Sequence, residues 1–334
     1  MTIASERVRN YSARPARRIL AGDIGGTNLR LAVVKQGRVE ESVNVPMAEF
    51  SSSKALAKRS ALEISRLDVH DIVIGGIGFP CPIDGASGEP LLSPPNLKFG
   101  FNGFIQALSQ ATGMKIFGFN DARSAVMGEA MFGSGRTEEV VIWHGIGTGY
   151  GFAIVDGERE IFPTAAEGGH FKVVNPILDL SARECGCGAS GCVEAYVSGT
   201  AMAKQYFELS GRKLTGEEVG AAFLSKDEIA VRVVHEAMAY LAMNISTGHA
   251  LTLNGRHVLG GGVAQIGQPL LKTLKTMLRT PGVVSWPQQN DLASKVFLTK
   301  LDGKAGLLGA AVLAEREADR IQAAMDFALY DPVL

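Results

Sequence analysis

The sequence predicts a two-domain α/β protein built on a duplicated plan, and three observations carry that prediction. A chain of 334 residues sets a prior of two domains. Short apolar runs ending in glycine-rich turns alternate with stretches of helical apolar spacing, the order that α/β folds show. The sequence strand, Gly-rich turn with threonine, strand occurs twice, at residues 19–34 and again at 140–155, about 120 residues later.

The elements follow in order. Residues 19–24 read as a strand, 25–28 as a turn and 29–34 as a second strand. Helical spacing runs over 52–66. A buried strand over 72–79 enters the loop 80–85, and a Pro-rich loop follows at 93–96. A helix over 104–112 leads to a short strand over 116–119, then past Asn120 and Asp121 to a helix over 122–131. The pattern restarts with strand 140–144, turn 145–149 and strand 150–155. Residues 162–197 are loop-rich. Helices are expected over 201–212, 216–224 and 227–247, a strand ending in three glycines over 257–262, and a helix over 305–321. The expected organisation is a disordered basic tail over 1–17, a small α/β domain from 18–120 plus 312–334, and a large α/β domain over 121–311 carrying a zinc loop at 167–194.

Composition narrows the class. With 46% hydrophobic residues the chain can bury large cores. A formal net charge of −1 argues against a general electrostatic grip on nucleic acid or anionic membrane. Apolar runs are broken by Gly, Asn or charge before membrane-spanning length. The first eighteen residues carry five arginines and no apolar core, so they are not a secretory signal. Glu6 and the missing amphipathic pattern favour a basic tail over a transit peptide, and the expected compartment is the cytoplasm.

Four glycine- or carboxylate-bearing motifs bear on chemistry. In Asp23-Ile24-Gly25-Gly26-Thr27-Asn28 the glycines let backbone N–H groups approach phosphate oxygens, and Thr27 and Asn28 add donors. Asp23 is placed to hold Mg²⁺ through water. No Gly-Lys-Ser/Thr follows, so this is not a P-loop, and the next element is a strand, so it is not a Rossmann turn. Taken alone it reads equally well as a plain hairpin. The second turn, with Gly147 and Thr148, repeats the design and suits a second clasp on the same phosphates. Gly261 and Gly262, after the strand 257–262, permit close approach of a base or ribose. Asp121 stands at a strand end before a helix, where α/β sheets place ligands. An N-cap is the commoner role for Asp there; Asn120 beside it adds a donor and an acceptor for a polyhydroxy substrate.

The most specific signal is His170 followed by Cys185, Cys187 and Cys192. Three thiolates and an imidazole make a closed tetrahedral zinc site of structural type. Glu167 and Glu194 flank it and suit sugar hydroxyls as acceptors, although Glu is more often surface charge. Cys81, alone between prolines, reads as a packed thiol.

Taken together these residues resemble the ROK family of sugar kinases and repressors, within the actin-like ATPase (ribonuclease H-like) fold. DIGGTN, PPNL, FNDARSA, GIGTG, EGGH, CGCGASGCVE, VLGGGVA and GLLGAA occur in the family's order from Asp23 to about Ala311. The resemblance implies two domains around an interdomain cleft and ATP with Mg²⁺ as cofactors beside structural Zn²⁺, with ADP or polyphosphate as the alternative donors. It implies Asp121 as catalytic base, and Asn96, Asn120, Glu167, His170 and Glu194 as sugar contacts. It places Asp23, Gly25, Gly26, Thr27, Asn28, Gly147 and Thr148 on phosphates and metal, Gly261 and Gly262 on the nucleoside, and His170 on both zinc and sugar. A homo-oligomer, a dimer, is the implied assembly. The chain departs from the family at Ala166, Tyr150 and the Phe99–Phe101 region, where Gly, a small aliphatic residue and Trp are usual. The expected reaction is phosphorylation of a hexose, glucose at O6 first, with an N-acetylhexosamine or fructose as alternatives. The rival class, a sugar-sensing repressor, carries a helix-turn-helix ahead of the first hairpin, and about twenty residues before Asp23 are too few for one.

Overall fold

The computed structural model describes residue 11 and residues 16–85, 87–92, 99–157, 159–161, 167–252, 255–284 and 291–330. The expected tail over 1–17 and the loop with Asn96 lie mostly or wholly outside them. The described residues form two compact units, one from 11–132 with 304–330, the other within 133–303.

In the first unit, β1 (Arg18–Ile24), β2 (Asn28–Lys35) and β3 (Arg38–Pro46) make an antiparallel meander. Helix α1 (Ser53–Ile64) starts where Ser52 Oγ accepts from the Ala55 N–H at 3.3 Å, a side-chain cap. β4 (Ile74–Phe79) joins β1 in parallel, α2 (Phe104–Thr112) crosses back, and β5 (Lys115–Asn120) adds to β4 in parallel. Helix α3 (Asp121–Phe132) follows without a loop. The sheet order is β3-β2-β1-β4-β5. Its core is aliphatic on β1 and β2, with Phe79, Phe101 and Phe104 meeting edge to face.

The second unit repeats the plan. It contains β6 (Val140–Ile146), β7 (Tyr150–Asp156) and β8 (Arg159–Ile161). After the Cys-bearing loop come α4 (Glu194–Val197), α5 (Gly199–Ser210), α6 (Gly216–Leu224) and α7 (Glu228–Thr252). β9 (Arg256–Gly260), α8 (Gln268–Leu278) and β10 (Val296–Leu298) complete it. The order is β10-β9-β6-β7-β8, with β6–β7 and β7–β8 antiparallel and β6–β9 and β9–β10 parallel. Position for position this is the first sheet again, so the duplication suggested by the two hairpins extends to whole sheets.

The first unit takes in more chain than the expected 18–120 plus 312–334. Helix α3 and residues 304–311 belong to it, because the C-terminal helix, Ala305–Tyr330, lies directly on α3 and β4. Glycines make the approach possible. A Cβ on Gly309 would collide with the Ser124 carbonyl, on Gly128 with that of Ala305, and on Gly76 with that of Ala310. Backbone cannot move aside as a side-chain end can, so a substitution here would exceed the about 1–3 kcal/mol usual for overpacking. Among the described residues no helix is long and apolar enough to cross a membrane.

The core of the second unit holds three buried histidines, His144, His249 and His257. Burial holds His144 down to about 3 and His257 well below the ordinary value of 6.5; His249 is lowered by burial and by Lys295. An unfolded chain takes up these protons below about pH 6.5 and the folded unit refuses them. Their neutral burial therefore costs nothing above that pH, and stability is lost progressively as the pH falls from there towards 3. The urea midpoint should drop between about pH 7 and about pH 5, where histidine is the main titrating side chain. A midpoint that is flat across this window would contradict neutral burial.

Candidate active site

In the first unit, β1 delivers Asp23 to the C-terminal edge of the parallel strands β1, β4 and β5. Its carboxyl is raised by burial, and Arg30, its register partner on β2, works against the rise. The side chain sits against the start of the C-terminal helix. A Cβ on Gly306 would lie 2.9 Å from Asp23 Oδ1, so glycine leaves the carboxyl its room at a helix N-terminus that favours negative charge. The turn beyond is exposed and short. Gly25 N–H donates to Asn28 O at 2.8 Å, Met47 N–H donates to Thr27 O at 2.9 Å, and Asn28 Nδ2 donates to Thr27 Oγ1 at 3.2 Å. Gly26 is exposed at its tip.

Asp121 lies at the end of β5, two strands from Asp23 and so on the order of 10 Å away across the same sheet edge. The structure divides the Asn120–Asp121 pair by role. Asn120, 6% exposed, is the side chain that caps α3: its Oδ1 accepts from the Arg123 N–H at 3.0 Å and its Nδ2 donates to Cys81 O at 3.3 Å. Asp121 Oδ1 accepts from the N–H of Ala122 at 2.7 Å. The capping role that sequence alone leaves open for Asp121 is thus filled by its neighbour.

The second unit holds the remaining candidates. At the β6–β7 turn Gly147 N–H donates to Gly149 O at 3.0 Å. The first residues of α5 grip the same turn: Gly199 N–H donates to Gly147 O at 2.8 Å, and Thr200 Oγ1 donates to Thr148 O at 2.8 Å. The Thr148 side chain is left exposed. Gly261, at φ 82°, packs where a Cβ would strike the Ile146 backbone, while Gly262 faces open space.

His170, Cys185, Cys187 and Cys192 come together with their ligand atoms all within 4.8 Å of one another. Tight turns bring this about. Cys185 N–H donates to Ala189 O at 2.8 Å and Gly188 N–H to Cys185 O at 3.0 Å, with Gly188 at φ 86°. Burial and the crowding of thiols push Cys185 up to about 12. Cys187 is also penalised by burial, yet the Ala189 N–H and its thiol neighbours hold it below its usual value. One soft-ligand set with this internal conflict fits a divalent cation such as Zn²⁺, whose charge makes all three thiolates favourable. His170 Nδ1 faces the sulfurs, 3.7 Å from Cys185 Sγ, and Nε2 lies 3.6 Å from Glu167 Oε2. At 3.6 Å this is a charge contact, longer than the hydrogen bond by which a carboxylate fixes the tautomer of a ligating imidazole. Lys172 Nζ donates to Cys192 Sγ at 3.0 Å and places a cation beside the thiols.

Glu167 and Glu194 meet this cluster from either side. The Glu167 carboxyl is raised by burial, offset by His170 and raised again by Glu194. Glu194, the first residue of α4, accepts from the Tyr150 N–H through Oε2 at 2.8 Å and lies 3.6 Å from Cys185 Sγ through Oε1. A Cβ on Gly149 would lie 2.6 Å from Glu194 Oε2. Sequence reasoning named Glu194 but not its support from Gly149 and Tyr150, nor Lys172 or Gly306. Tyr150 carried a signal as a departure from the family; Lys172 carried none.

Metal content tests the cluster. Protein prepared with zinc should hold one equivalent per chain by elemental analysis, and Cys187→Ser should lose most of it. Equal zinc in both would remove Cys187 from the ligand set.

The model of the ROK family matches residues 19–317. A glucokinase from Streptomyces coelicolor is 29% identical over 321 residues, spanning 90% of this chain and 98% of the relative. An N-acetylmannosamine kinase from Escherichia fergusonii is 29% identical over 308 residues, spanning 89% of this chain and 98% of the relative. Among solved structures, a ROK family glucokinase from Streptomyces griseus in complex with glucose and AMPPNP superposes with a TM-score of 0.78 at 26% identity, covering 90% of this chain and all of that one. A match over nearly the whole chain, with both hairpins, the glycine contacts and the His/Cys cluster inside it, makes this protein a member of the ROK family.

Proposed function

We propose that this ROK protein is an ATP-dependent sugar kinase that phosphorylates a hexose, glucose at O6 in the first instance. The observation that carries the reading is the loop of the second unit. It gathers a closed metal-ligand set and sets one carboxylate, Glu167, on the imidazole and another, Glu194, beside a ligand sulfur. Glu194 is oriented before substrate arrives by the Tyr150 N–H, which makes it a ready acceptor for a sugar hydroxyl.

Asp121 is the proposed base. Its carboxylate takes the proton of the attacking hydroxyl as O6 bonds to the γ-phosphorus of ATP and the bond to the β–γ bridging oxygen breaks, releasing ADP. Asn96, Asn120, Glu167, His170 and Glu194 are the proposed sugar contacts, His170 through Nε2. Asp23 is the proposed anchor of Mg²⁺, which when bound neutralises phosphate charge. Gly25, Gly26, Thr27, Asn28, Gly147 and Thr148 are the proposed phosphate cradle, and Gly261 and Gly262 the nucleoside floor. The four His and Cys ligands leave no open position, so the zinc they would hold is structural.

An N-acetylhexosamine is the second reading, because the N-acetylmannosamine kinase is as similar to this chain, at 29% identity, as the glucokinase. A coupled ADP-release assay with ATP over glucose, N-acetylmannosamine, N-acetylglucosamine and fructose decides between them. Asp121→Asn should lower turnover at least about a hundredfold on the preferred sugar while leaving sugar affinity near wild type. Turnover near the wild-type rate would remove Asp121 as the base.

A further inference from the structure

Tyr150 opens β7 directly after the turn 147–149, and its two ends do different things. The backbone N–H donates to Glu194 Oε2 at 2.8 Å. The side chain turns into the core, where Oη lies 2.6 Å from His144 Nδ1 on β6 and 2.8 Å from Asn244 Nδ2 on α7. Tyr150 is 6% exposed, Asn244 1% and His144 0%. Water does not compete for these bonds, and neither partner finds a substitute if the hydroxyl is taken away.

The contacts run on from the hydroxyl. Asn244 Nδ2 donates to Oη, which is then free to donate to His144 Nδ1. His144 Nε2 in turn lies 2.9 Å from His257 Nδ1, and His257 Nε2 lies 3.5 Å from His249 Nδ1. One hydroxyl is therefore tied to β6 and α7 directly and to β9 through an imidazole. A small aliphatic side chain would fill part of the space and supply none of these ties.

Glu194 depends on where this backbone lies. Its Oε2 rests against residues 149–150 so closely that a Cβ on Gly149 would stand 2.6 Å away. A small slip of β7 would break the N–H bond or push the carboxylate aside. We propose that Tyr150 is a positioning residue for sugar recognition: its buried hydroxyl, clamped by His144 and Asn244, fixes the backbone N–H that aims Glu194. This rests on the reading of Glu194 as a sugar contact.

A double-mutant cycle tests it, using dissociation constants for glucose and N-acetylmannosamine from NMR titration, which reads millimolar values and needs no turnover. Wild type, Tyr150→Phe, Glu194→Ala and the double variant are compared. Tyr150→Phe should weaken sugar binding by roughly tenfold, the scale of one hydrogen bond to a charged group. In the Glu194→Ala background the same change should cost less than about twofold, because the two residues act in series. Affinity for an ATP analogue should stay level. An equal loss in both backgrounds, or no loss in either, overturns the inference while leaving the kinase reading in place. A wild-type chain that binds neither sugar overturns both together. Should Tyr150→Phe fail to fold, Asn244→Ala, which removes one of the hydroxyl's two partners, takes its place in the same cycle.

Discussion

Three thiol sulfurs and one imidazole nitrogen within 4.8 Å of each other cannot all be in their ligating states without a cation between them. That constraint organises the second unit. The two ends of the Cys-bearing loop meet at the cluster, and each end brings a carboxylate with it. Glu167 stands behind His170 and Glu194 stands beside Cys185. The loop contributes little to the apolar core, so its shape comes from knuckle turns, Gly188 at positive φ, and the ligand set itself. Where a metal fills such a ligand set, folding energy for the loop is metal-binding energy.

The carboxylates are also supported from the sheet side. Glu194 is held by the backbone of the β6–β7 hairpin, whose tip is gripped by the start of α5. The first unit uses its matching hairpin and the edge of its parallel strands to present Asp23 and Asp121. There the C-terminal helix packs closely on α3 and β4, allowed by Gly76, Gly128 and Gly309, while the Asn120 cap sets where α3 begins and hence where Asp121 stands. Duplication thus supplies two similar sheets, and the candidate residues are divided between them by what each hairpin was given as neighbours.

Much of this was legible in the sequence, for physical reasons. The paired strands β1–β2 and β6–β7 are strongly apolar and bounded by glycine turns. The Cys spacing left few alternatives to a metal. β3 was invisible because Arg38–Pro46 is an edge strand with mostly exposed, polar positions, and β8 and β10 have only three residues each. Helix α8 was missed although its signal is in the residues: Pro269 stands at its start, and Leu270, Leu271, Leu274 and Leu278 are buried along one stripe. The division of labour between Asn120 and Asp121 was not legible, since both residue types cap helices. Nor was the unit boundary, because it depends on glycines meeting backbone more than 170 residues away, as Gly128 meets Ala305. The hydroxyl of Tyr150 and the amide of Asn244, 94 residues apart, meet only once the sheet and α7 have packed.

In the proposed site a metal orders the loop of the second unit and so aims Glu167 and Glu194 at a sugar. The most direct measurement is hexose and nucleotide affinity on the same protein with its metal present and after removal by a chelator, with folding monitored in parallel. Hexose affinity should fall at least about tenfold, the loss of one aligned charged contact, while nucleotide affinity holds and zinc restores the sugar site. Unchanged hexose affinity in metal-free, folded protein would contradict it.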